Sequence, residues 1–164
     1  MRVLSSGMYR RCSSAVLGKP AGVPGWHDVE RYPDSRQVPG MLILRWSAPL
    51  FFANATQFRD RIRAFVAAAD PTPRWVVVAA EPIADIDTTA GAMLIELHAE
   101  LSAAGIHFAF AELQTAVRES IARYRTPDDP KAWHFYASVT EAVEAFRQER
   151  AVADDDEAGS AAPG

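Results

Sequence analysis

The six residues Trp75-Val-Val-Val-Ala-Ala80 form an apolar run bounded by Arg74 and Glu81. The run is too short to span a membrane, and its valines suit a strand buried on both faces. A polar loop follows and ends in Asp87, Thr88 and Thr89, any of which can cap the helix expected from about Thr88 to Ala104. A buried strand that leads through a polar loop into a helix is the repeating unit of an α/β fold. The unit places two carboxylates, Asp85 and Asp87, and two hydroxyls, Thr88 and Thr89, just beyond the end of the strand. In open α/β sheets that position serves ligands and partners.

The same alternation extends along the chain. His27 to Tyr32 alternates weakly, as a short edge strand would, and Pro39-Gly40 marks a turn. Met41 to Trp46 and Leu50 to Phe52 read as a strand pair, or as one long strand broken near Pro49. Asn54 is expected to cap the next helix, with Gln57 in the capping-box position. Phe58, Ile62, Phe65 and Val66 supply its apolar stripe. Ile106 to Ala111 is the next strand, Val117 to Tyr124 a third helix, Lys131 to Tyr136 a short strand and Ser138 onward a last helix. The order ββαβαβα(β)α predicts a mixed sheet with a parallel centre. The loops 51–56, 81–89 and 112–116 then leave the carboxyl ends of parallel strands and share one edge. That edge carries Phe52, Asn54, Asp85, Asp87, Thr88, Thr89 and Gln114. Alternation sends one ring of Phe51-Phe52 into the core and leaves the other near the edge, where it can anchor a partner.

Residues 1–24 are expected to form a basic leader, with Arg2, Arg10, Arg11 and Lys19 and no acid. Residues 151–164, with Asp154 to Glu157 and no base, are expected to be a disordered acidic tail, leaving 25–150 as the domain. The net charge of −4 gives no ground for nucleic-acid binding. A lone Cys12 allows no intrachain disulfide and suits a reducing compartment. There is no Gly-rich phosphate loop and no Cys/His metal spacing, and the histidines at 27, 98, 107 and 134 are scattered. His98 and His107 are expected to pack or face solvent, and no catalytic set accompanies Asp85 and Asp87. No enzyme and no cofactor are expected. For Thr88 and Thr89, helix capping is the first expectation and a phosphoacceptor role the second.

Three segments carry a resemblance. The run Val38-Pro-Gly-Met-Leu-Ile-Leu-Arg-Trp-Ser-Ala-Pro-Leu-Phe-Phe-Ala-Asn-Ala55 and the run Trp75 to Ala90 with its following helix resemble the STAS domain at the cytoplasmic end of SulP-family anion transporters. The approach through Ala15-Val-Leu-Gly-Lys-Pro20 and Pro24 to Pro33 is similar to that family's linker and first strand, so the likeness covers roughly residues 15 to 150. It implies an α/β STAS fold, a mixed sheet of four or five strands with about four helices mainly on one side. It also implies a regulatory role at the inner face of the plasma membrane, with the membrane portion of a sulfate-like anion transporter or another protein as partner. No membrane helix is present in the sequence, so the chain is expected to be either a segment of a longer protein or a free-standing relative. In the related anti-sigma factor antagonists, Asp-Ser-Ser-Gly carries a phosphorylated serine in third place. Asp87-Thr88-Thr89-Ala90 aligns with it and puts Thr89 at the acceptor, with threonine for serine and alanine for glycine. The alternative implied is therefore a free-standing antagonist that binds a kinase or anti-sigma partner and is switched at Thr89 or Thr88. Some bacterial members are associated with guanine nucleotides, for which this chain has no phosphate loop.

Overall fold

A computed structural model describes residues 14–124 and 133–160, with side chains up to residue 153. Ten elements follow in order: β1 (Ser14–Gly18), β2 (His27–Asp28), β3 (Met41–Trp46), α1 (Phe52–Ala68), β4 (Trp75–Ala79), α2 (Thr88–Ala103), β5 (His107–Ala111), α3 (Thr115–Tyr124), β6 (His134–Tyr136) and α4 (Val139–Ser160). They build one six-stranded sheet in the order β2-β1-β3-β4-β5-β6. β3 to β6 run parallel, while β1 is antiparallel to β3 and β2 to β1.

The period of two along each strand divides the core. Leu42, Leu44, Val76, Val78, Phe108 and Phe110 face α1, α2 and α3, where Phe58, Ile62, Leu94, Leu97, Val117 and Ile121 meet them. Met41, Ile43, Trp75, Val77, Ala109 and Ala111 face α4 and pack on Val139, Val143 and Phe146. Both faces of β4 are thus covered, which explains its unbroken apolar run. His98 and His107 pack as expected: the His98 ring stacks on Trp133 at 4.6 Å and the His107 ring on Trp75 at 3.9 Å.

The mixed α/β architecture and the parallel centre stand as the sequence reading has them, and several details differ. The sheet has six strands because β1 lies inside the segment read as a leader. Ser14–Gly18 is too short to announce itself, and its partner β3 is distant in sequence. Residues 50–52 are not a strand: Leu50 makes a single parallel bridge to Ile86, and α1 begins at Phe52. The last helix continues to Ser160, through part of the expected tail. Val139, Val143 and Phe146 anchor its first turns, and alanine-rich chain propagates an anchored helix readily. Cys12 and most of the basic leader lie outside the described residues.

Candidate functional site

The carboxyl ends of β3 and β4 are joined beyond the sheet itself. The Leu50 N–H donates to the Asp85 carbonyl at 3.2 Å, and the Asp87 N–H to the Leu50 carbonyl at 3.4 Å. This short parallel ladder lays the loop after β4 against the entry to α1. The Asp87 carboxylate then reaches both helices. Its Oδ1 accepts the Ala90 N–H at 2.8 Å, the usual N-cap bond for α2. Its Oδ2 accepts the Phe52 N–H, the first of α1, also at 2.8 Å. One side chain thus satisfies open donors at two helix amino ends, and both dipoles favour its charge. The Ala90 and then the Phe52 hydrogen bonds hold the Asp87 carboxyl below its ordinary value.

Asn54 does not cap α1. It is the third helical residue after Phe51, and it works backward, with Oδ1 accepting the Phe51 N–H at 2.9 Å and Nδ2 donating to the Pro49 carbonyl at 2.8 Å. The helix starts earlier than its sequence suggests because Asp87, 35 residues away, supplies the cap. The expected Gln57 capping box therefore has no place. Asp85 accepts the following Ile86 N–H at 2.8 Å and is otherwise at the surface.

The two aromatic rings also depart from expectation. Leu50 takes the buried position at 0% exposure, leaving Phe51 36% and Phe52 71% exposed. Neither ring enters the core. Thr88 and Thr89, the first two residues of α2, are exposed, and with Asp87 as cap their hydroxyls are not needed for capping. Phe52, Asn54, Asp85, Asp87, Thr88 and Thr89 thus come together across two loops. Gln114 lies at the end of the neighbouring β5, where its carbonyl accepts the Val117 and Arg118 N–H groups at 3.1 and 3.0 Å. No hydrogen bond among the described residues ties it to the cluster. A second tie between α1 and α2 carries no sequence signal: Arg63 grips both carboxylate oxygens of Glu100, with Nε at 2.9 Å from Oε1. That ion pair holds Glu100 below its ordinary value. No group of three or more metal-ligating side chains occurs among the described residues.

A mixed sheet with three helices on one face and one on the other, and a doubly capping aspartate where two loops meet, define a domain of the α/β class. The STAS domain model matches residues 32–142, and the chain belongs to that family. A probable sulfate transporter of Mycobacterium tuberculosis is 37% identical over 134 residues, covering 82% of this chain and 24% of the relative. The chain therefore spans about a quarter of the length of that relative. Among solved structures, the murine Slc26a9 anion transporter in its inward-facing state superposes with a TM-score of 0.73 at 18% identity, over 84% of this chain and 22% of the other. A candidate anti-sigma factor antagonist of Thermotoga maritima superposes with a TM-score of 0.57 at 17% identity, over 68% and 92%. At such identities the two structures speak for the fold alone. No helix among the described residues is long and apolar enough to cross a membrane.

Proposed function

We propose that this chain acts as the non-catalytic regulatory domain of a SulP-type transporter for a sulfate-like inorganic anion, at the cytoplasmic face of the membrane. Its docking surface is the sheet edge formed by residues 51–56, 81–89 and 112–116. The observation that carries the reading is the exposure of Phe52, a ring 71% open to solvent on a backbone that Asp87 holds in place. An exposed aromatic on a fixed backbone is a common anchor of an interface. β1 adds support: it runs antiparallel, with Ser14 opposite Trp46, so the chain enters the domain at the same end of the sheet. Regulation follows if the surface binds one state of the membrane portion more tightly than another.

A second reading, a partner switch of the antagonist type, is favoured by one observation: Thr88 and Thr89 are exposed and released from capping by Asp87. A phosphate at Thr89 would meet a favourable helix dipole and repulsion from Asp85 and Asp87. Fractionation of native cells with an antibody to this domain separates the two. A membrane-bound band far heavier than 17.9 kDa is the expected result. A band near 17.9 kDa outside the membrane fraction would overturn the transporter reading and favour the switch.

A further inference from the structure

On the α4 side of the sheet, at the same carboxyl end, an open cleft of about 680 Å3 is lined by Trp26, Arg45, Glu81, Glu112, Leu113 and Thr140 among others. Strand register brings its charges to one end of the sheet. Arg45 is level with Ala79 and Ala79 with Ala111. Arg45, Glu81 and Glu112 therefore stand at the ends of three neighbouring strands, successive strands being about 5 Å apart. No ion pair joins them. The pairs Arg59–Asp60, Arg63–Asp60, Arg63–Glu100 and Arg74–Glu149 all lie elsewhere. Arg45, half-buried, makes one long hydrogen bond, 3.4 Å to the Trp26 carbonyl.

Two further observations mark the cleft. Glu112 has φ 62°, the only positive φ of a non-glycine residue among those described. That backbone is disfavoured for a residue with a side chain and collects at binding sites. Its N–H is fixed on the Tyr136 carbonyl at 3.0 Å. The Trp26 indole N–H donates to Thr140 Oγ1 at 3.2 Å, which sets the ring beside the amino end of α4.

We propose that this cleft binds a small zwitterion of the free α-amino acid class. Its carboxylate meets Arg45, and its ammonium meets Glu81 and Glu112; the amino end of α4 is already engaged by its own Glu141 and Ser138. An apolar side chain lies against Trp26 and Leu113. A simple anion would face two carboxylates and a simple cation would face Arg45; only a ligand with both charges complements all three groups. The volume is within the range of small-molecule sites. Glu81, Glu112 and Leu113 also belong to loops of the proposed docking edge, but the cleft opens on the α4 side and its test reads small-molecule binding alone, so failure of one reading is distinguishable from failure of the other.

Calorimetric titration of the whole chain with L-leucine, L-methionine and L-phenylalanine tests it, each beside its N-acetyl and its carboxamide derivative. The expected result is saturable binding of at least one free amino acid, weakened about tenfold or more by either block. Arg45→Met, and Glu81→Gln with Glu112→Gln, should weaken it as much while the circular dichroism melt stays that of the parent. The blocked ligands decide the matter even for a variant that fails to fold. No binding by any of the three amino acids would overturn the proposal. So would equal binding of the N-acetyl form, competition by sodium sulfate alone, or indifference to the glutamate changes.

Discussion

At the scale of single residues, Asp87 governs the edge. Asp87→Ala removes acceptors from two helix starts, whereas Asp87→Asn keeps one oxygen acceptor and replaces the other with a donor. Alanine should therefore lower the melting temperature by roughly twice as much as asparagine. The charge adds a pH dependence. A carboxyl whose folded pKa lies below its unfolded value, about 3.9 for aspartate, stabilises the fold at all pH values above that unfolded value. It gives up that stabilisation as pH falls through the folded pKa. Urea melts should show the parent's advantage over Asp87→Asn undiminished at pH 7 and reduced below about pH 4. An advantage that grew on acidification would contradict the account. Asp87 is legible in the sequence as the cap of α2, because its distance to Ala90 is local. Its hold on Phe52 is not legible, since no periodicity links residues 35 apart. The same holds for the cleft, where Arg45 and Glu112 meet only through strand register.

Among elements, α2 shows how packing overrides propensity. Gly91 is buried within the helix, and a Cβ there would overlap the Tyr124 ring of α3 at its near atoms. Gly→Ala inside a helix normally gains about 1 kcal/mol from propensity. Gly91→Ala should instead destabilise by about 1–3 kcal/mol, because α3 must move to admit the methyl. Equilibrium denaturation measures the difference, and a gain in stability would refute the close helix contact. Elements with a strong local pattern, β4, α2 and β5, are legible from sequence alone. β1 is not, because an antiparallel partner decides its state. Nor is the start of α1, because Asp87 of a later loop captures its first N–H. The end of α4 reads as a tail because its acids mask an alanine-rich continuation of an anchored helix.

For the whole molecule, three kinds of element converge on one end of the sheet: the entry of β1, the Asp87 clasp and the exposed Phe52. Phe52 is largely exposed, so Phe52→Ala should leave the melting temperature unchanged yet weaken docking by about tenfold or more. A stability loss with docking intact would reverse its assigned role. The family membership is settled by the match over residues 32–142, and the docking surface is the claim that matters most. Its most direct measurement is photo-crosslinking in native cells from p-benzoylphenylalanine in place of Phe52, with mass spectrometry of the adducts. A matched probe replaces the exposed Ala104, at the carboxyl end of α2. The account predicts adducts to membrane-spanning segments of a SulP-type transporter from position 52 and not from position 104. Adducts from position 52 only to proteins without such segments, or the same adducts from both positions, would contradict it.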